Sequence, residues 1–296
     1  MNFRSNHYVP RYYLLKWYDN SSLSDVGPGR KLKVLIKKSG KIIYDVPKNI
    51  AQRNNLYTFP KEFKFNDNKI NEKLLVKQFE DWYLEAMSKS FDKKKIPNSK
   101  ISYKLAGFVI VQSFRTLSFK RSNEKIISEN FNFKFSPEWH QDYSLHLSFL
   151  IINGFPVLIK NAIIIFHKAP PNHNFVTSDN PASYWVKENN NYKRVISLAD
   201  NHEAKNNPNL RIICPLNPLW CAELKLFQKP PKSNLLTLLI SFFINPKRKL
   251  RINREIHSLD ETEFINFQSL IYQSADKIII GLNEDDLKTA YRRFGH

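Results

Sequence analysis

The chain has 296 residues, 42% hydrophobic and 14% aromatic, enough to bury a large core and too apolar to stay disordered. Its 46 Lys+Arg against 27 Asp+Glu leave a formal net charge of +19, a field that attracts polyanions such as nucleic acid or anionic lipid and says nothing about fold. Two cysteines, Cys214 and Cys221, exclude a disulfide framework and a four-thiolate zinc site; both sit in apolar runs, where buried thiols in a reducing compartment are the simplest reading.

The basic clusters Lys93-Lys94-Lys95, Lys247-Arg248-Lys249 with Arg251 and Arg254, and Arg292-Arg293 lie far apart in the chain. They form one binding surface only if the fold gathers them; otherwise they are solvated charge of an Asn-, Lys- and Ile-rich composition. The first residues, Met1 to Asn6, contain no apolar stretch of a secretory signal. The run Leu235 to Ile244 is too short to span a bilayer. It reads as a core element, or as an interfacial helix with Lys247 to Arg251 on anionic lipid. A cytoplasmic protein without a transmembrane segment is expected.

Along the chain, Lys31 to Ile36 and Lys41 to Asp45 flank Ser39-Gly40 and predict a β-hairpin, ended by Pro47. From Ile70 to Met87 apolar residues recur at three- and four-residue steps, the period of an amphipathic helix. A second, largely buried helix is predicted from about Ile101 to Phe119, carrying Gln112 and Arg115 on one side. A third starts at Ser136-Pro137-Glu138 and runs to Gly154, with His140 and His146.

Beyond Gly154 the character changes. Strands are predicted at Ala162 to Phe166, Phe175 to Thr177, Lys193 to Leu198, Leu210 to Pro215 and Trp220 to Leu226, separated by Asn- and Pro-rich turns. Ser258-Leu259-Asp260-Glu261 reads as a capping box before a C-terminal helix, and Lys277 to Gly281 as a final strand. The expected fold is α+β, helical blocks packed on a mostly antiparallel central sheet, as one domain over 1–296. Its parts are a hairpin and helices to residue 154, a β-rich middle over 155–230 and a helical part over 231–296. With seven Gly and no glycine-rich phosphate loop, a backbone cradle for nucleotide phosphates is not expected.

Polar residues that stand out carry two readings each. His7 can serve as general acid, base or metal ligand, or can hydrogen-bond the backbone and lock the N-terminal segment down. Asp179, in Thr177-Ser178-Asp179-Asn180-Pro181, can orient an imidazole, take a proton or hold a divalent cation. Ser-Asp-Asn-Pro is also good turn chemistry. Arg115 can clamp a phosphate while Gln112 orients a water, or the pair can satisfy Asp179 or a backbone carbonyl. Ser178, Asn180, Arg11 and His146 complete the candidate substrate-binding set. Glu223-Leu224-Lys225 on a strand has the acidic-x-Lys form of many metal-dependent nucleases, a pattern that half-exposed strands also produce by chance.

His7-Tyr8-Val9-Pro10 followed by Tyr13-Leu14, the Gln112-x-x-Arg115 pair, Thr177 to Pro181, and Pro215-Leu216-Asn217-Pro218 occur in one order. With the Asn54-x-x-Tyr57 segment and Ala275-Asp276-Lys277, that order resembles the bacterial family catalogued as domain of unknown function 4238 over nearly the whole chain. Arg11-Tyr12-Tyr13 and Trp17 are mild departures from its usual pattern. The resemblance implies a bacterial, intracellular protein with a shared polar centre and carries no reaction with it.

The leading functional expectation is a hydrolase of phosphodiesters in nucleic acid, in defence against foreign genetic elements. In it His7 and Asp179 transfer protons or hold a divalent cation, and Arg115 neutralises phosphate. The competing expectation is a non-catalytic nucleic-acid-binding or interaction protein, gripping a strand with basic clusters and Tyr8, Tyr12, Tyr13 and Trp17. A third is a hydrolase of some small anionic substrate.

Overall fold

The computed structural model describes residues 5–18, 31–54, 77–121, 155–160, 162–189, 191–195, 207–226 and 253–295. Its N-terminal elements are β1 (Ser5–His7), α1 (Arg11–Leu14), β2 (Leu32–Ile36), β3 (Lys41–Asp45), β4 (Gln52–Asn54), α2 (Lys77–Lys89) and α3 (Ser99–Arg115). There follow α4 (Phe155–Lys160), β5 (Ala162–Lys168), β6 (Thr177–Ser178), β7 (Ser183–Glu188), β8 (Asn191–Val195), β9 (Leu210–Asn217) and β10 (Trp220–Leu226). The C-terminal elements are β11 (Asn253–Ser258), α5 (Glu261–Ser274), β12 (Ile278–Gly281) and α6 (Glu284–Phe294). The fold is α+β.

A six-stranded sheet has the order β11-β5-β10-β9-β7-β8, and a four-stranded sheet the order β3-β2-β12-β6. A two-stranded ribbon joins β1 to β4. All pairs are antiparallel except β11, which enters the edge of the large sheet parallel to β5.

Strand periodicity decides what each face of the large sheet meets. On β10, Ala222, Leu224 and Leu226 share one core with Leu105, Phe108 and Val109 of α3. Cys221, one step out of phase, joins the second core with Phe267 and Ile271 of α5 and Leu287 of α6. Both thiols are free and buried. Among the described residues no helix is long and apolar enough to cross a membrane.

The predicted hairpin is β2 and β3, with Gly40 at φ +67 in its turn, a conformation costly for residues bearing a Cβ. The helix expected over 101–119 is broken at Thr116, whose backbone is extended. Its hydroxyl accepts from Phe119 N at 3.2 Å and starts a fresh helical segment at 117–121. The capping box before α5 is also displaced: Asp260 is the cap, bonded by Glu263 N at 2.8 Å, because Ser258 is taken up as the last residue of β11. The expected C-terminal helical part contains the predicted final strand as β12 and, beyond expectation, the edge strand β11. The predicted helix at 136–154 with His140 and His146, the run 235–244 and the cluster 247–251 lie outside the described residues.

Candidate nucleic-acid interface

The N-terminal residues flagged by the sequence meet the β-rich middle through an internal clamp. Gln112 Nε2 donates to the Tyr8 carbonyl at 2.8 Å. Arg115, 2% exposed, donates to the His7 carbonyl at 2.9 Å and pairs with Glu80 at 3.0 Å. His7 Nδ1 lies 3.1 Å from the Ile50 carbonyl, so it carries the proton there. Burial pushes the His7 imidazole below its ordinary pKa, with Arg11 and Arg115 adding to the effect. Tyr13 Oη lies 2.6 Å from both Thr177 Oγ1 and the Pro215 carbonyl. Trp17 Nε1 donates to the Phe175 carbonyl, and Tyr83 Oη to the Leu216 carbonyl.

The Thr177–Pro181 run is tied to the C-terminal part in the same way. The two oxygens of Asp179 accept from Asp276 N and Lys277 N, each at 2.9 Å. Asn180 Nδ2 donates to the Ser274 carbonyl, Ser274 Oγ donates to the Asn180 carbonyl, and Ser178 Oγ accepts from Asn180 N. Burial pushes the Asp179 carboxyl up to about 6, against the pull of the two amides. His7 ends β1 of the two-stranded ribbon and Asp179 follows β6 of the four-stranded sheet, and Asp179 makes no bond to His7 among the described residues. The two runs meet through Tyr13 and Thr177. Arg11 is exposed, and His146 lies outside the described residues.

Of Glu223-Leu224-Lys225, Leu224 packs toward α3, while Glu223 and Lys225 lie on the opposite face of the large sheet. Glu223 is 3% exposed, between His167 Nε2 at 2.8 Å and Arg211 Nε at 3.3 Å. Burial raises its pKa, but the His167 hydrogen bond and the charges of His167, Arg211 and Lys187 outweigh it and hold the carboxyl below its ordinary value. His167 Nδ1 is buried without a hydrogen-bond partner among the described residues. Lys225 pairs with Glu255 at 3.3 Å on the neighbouring edge.

Two concavities lie elsewhere; of their aromatic linings the sequence reading singled out only Tyr12, at the border of the second. One, of about 230 Å³, is enclosed by the 172–174 turn, α5 and α6. Its polar lining includes Asn172, Asn174, Asp286 and Thr289, its apolar walls Phe264, Ile265 and Phe294. Asp286 Oδ2 is buried with no hydrogen-bond partner among the described residues. Burial pushes that carboxyl up to about 6, Asp285 adding to the shift and the neighbouring Asn174 side chain opposing it. Glu261 and Asp285 stand at the mouth together with Arg293.

The second is an open groove of about 590 Å³ bordered by Tyr12, Lys16, Phe91, Leu219 and Trp220. Asn174 borders both concavities. Of the four aromatic residues expected to stack on a strand, Tyr8, Tyr13 and Trp17 are buried in the core. Tyr12, 54% exposed, borders the groove. The signal that could have marked the cavity is the α6 spacing Asp286, Thr289, Arg293, a polar stripe at steps of three and four.

One family model, described as Protein of unknown function (DUF4238), matches residues 5–285. No curated protein and no solved structure matches the chain. The matched span takes in both sides of the clamp, from His7 and Tyr13 to Asp179 and Lys277, together with the cavity-lining turn at 172–174. The chain belongs to the DUF4238 family.

Proposed function

We propose that this protein binds single-stranded nucleic acid. The observation that carries the reading is an open aromatic groove and a small cavity, both bordered by Asn174, in a chain of net charge +19. At about 230 Å³ the cavity falls below the roughly 300–1,000 Å³ of sites for drug-sized ligands. Exposed Tyr12 supplies a flat platform for a base, while Lys16 beside it is paired with Asp92 of the same groove, so attraction for the strand rests on the net charge of the whole chain. Charge gathers the strand and stacking holds it, which suits a protein of the reducing cytoplasm with two free thiols.

Mobility shifts with labelled single- and double-stranded RNA and DNA test this. Single strands are expected to bind in preference to duplexes, with affinity falling about tenfold or more between roughly 50 and 200 mM salt. Duplex bound equally well, or affinity indifferent to salt, would sink the reading.

The Glu223-His167-Arg211 cluster favours a second reading, hydrolysis of the phosphodiester in defence against foreign genetic elements. A carboxylate kept ionised beside an imidazole with an open nitrogen is an acid–base pair, and Lys225 stands on the same strand face. Cleavage of the same substrates, with and without divalent cations, separates the readings. Under this one E223Q lowers cleavage by about 100-fold or more while binding persists.

A further inference from the structure

β3 is the outer strand of the four-stranded sheet, whose order is β3-β2-β12-β6. Its ladder to β2 runs from Leu32 opposite Asp45 to Ile36 opposite Lys41, and among the described residues its other edge has no strand beside it. Such an edge is a template for a further strand, and proteins that keep it vacant guard it with lysines, a proline or a bulge. β3 has no proline and its register to β2 is unbroken. It carries one charge of each sign at its two ends, Lys41 and Asp45, with Ile42, Ile43 and Tyr44 between them.

These groups are not spent within the chain. Lys41 is exposed and enters no ion pair among the described residues. Asp45 Oδ1 accepts from Val46 N at 2.7 Å and from Asn49 Nδ2 at 2.8 Å, and Oδ2 has no hydrogen-bond partner among the described residues. Tyr44 is 51% exposed, while its hydroxyl donates to Glu284 of α6. That bond fixes the ring beforehand, so little side-chain freedom is left to lose on association.

We propose that β3 is a dimerisation edge, pairing antiparallel with β3 of a second copy about a two-fold axis through Ile43. Residues directly opposite each other on neighbouring strands share a face of the sheet. In this arrangement Lys41 faces the partner's Asp45 at both ends of the ladder, Ile42 faces the partner's Tyr44, and Ile43 meets itself. It is the one two-fold register that pairs all five residues; a shift by two pairs three and separates both charge pairs. Parallel pairing in register would set Lys against Lys and Asp against Asp. The 3₁₀ turn at Pro47–Asn49 ends the ladder on one side and the hairpin turn at Gly40 on the other.

A five-residue ladder is small beside interfaces of roughly 1,200–2,000 Å², so a dimer in exchange with monomer at micromolar concentration is expected. The +19 of each copy repels over distance, and physiological salt confines that repulsion to about 8 Å. None of this depends on nucleic acid.

Sedimentation velocity of the full chain over about 1–100 μM, in roughly 0.15 M salt, is expected to show monomer giving way to dimer. K41E and D45K are each expected to weaken the dimer about tenfold or more, because each sets two like-charge pairs across the axis. K41E also lowers the net positive charge of the chain, so its effect cannot come from bulk repulsion. An equimolar mixture of K41E and D45K is expected to dimerise again, since every carboxylate in the mixed pair faces an ammonium. K41E alters an exposed, unpaired side chain and decides the question alone if D45K, which also loses the Val46 and Asn49 bonds, does not fold. A chain that stays monomeric throughout, or a dimer indifferent to K41E, would overturn the proposal. So would two folded variants that fail to pair with each other.

Discussion

Asp179 shows how a residue chosen for its chemistry can act on the backbone. Its carboxylate closes a turn by accepting the Asp276 and Lys277 amides, and burial raises its pKa to about 6 from an ordinary 3.8. A native pKa above the unfolded one means that the native state is favoured with the group protonated. That contribution is complete below about 3.8 and is lost as pH rises through about 6. Between about pH 5 and pH 7.5 the wild-type unfolding free energy should therefore fall by about 1 kcal/mol more than that of D179N, which has no carboxyl to ionise there. Urea denaturation of both proteins at the two pH values checks this, and parallel changes would refute it. The residue type and the turn were readable in Ser-Asp-Asn-Pro. Its partners were not, since any backbone amide carries the same donor whatever the residue. The same limit applies to Gln112 and Arg115, whose carbonyl acceptors at Tyr8 and His7 leave no mark in the sequence.

At the scale of elements, periodic apolar residues announced α2 and α3, because each buries a continuous face. How closely the two approach was less visible. A Cβ built on Gly107 would lie 2.6 Å from the Trp82 ring, which is hemmed in by Phe79 at 4.8 Å and Tyr103 at 5.8 Å between ring centres. Since that partly buried ring is packed against two aromatic neighbours, G107A should destabilise the protein by about 1–3 kcal/mol despite alanine's better helix propensity. A lowered denaturation midpoint with an unchanged urea slope checks it; an unchanged midpoint would mean the helices slide apart freely. β11 escaped notice because an edge strand of sequence Asn-Arg-Glu-Ile-His-Ser has a single aliphatic residue and no apolar alternation. The break after α3 escaped because Thr116 lies within an apolar run, where periodicity continues across the extended residue.

Across the whole molecule, the sequence revealed the clamp as a set of conspicuous residues and missed the cavity and groove. The cavity draws on residues 172–174, 261–268 and 285–294, and the groove on 12–18, 84–92 and 217–220 among others. A concave surface built from such distant pieces has no local pattern to detect, whereas a buried histidine or arginine stands out one residue at a time. Net charge was legible from composition alone; its effect on binding belongs to the entire surface, which is why salt titration rather than any single substitution tests it.

The bridge from Tyr13 to the Pro215 carbonyl closes a loop of 202 positions, and β12 must slot between β2 and β6 to complete the smaller sheet. During synthesis β2 therefore emerges with only β3 beside it, and its other edge stays unpaired until residues 278–281 follow. Such high contact order makes folding slow and late, and it leaves the nascent β2–β3 hairpin with an unpaired edge while the rest of the chain is being made. For a cell producing this protein, the hazard of aggregation is concentrated in the interval before β12 becomes available to cover that edge.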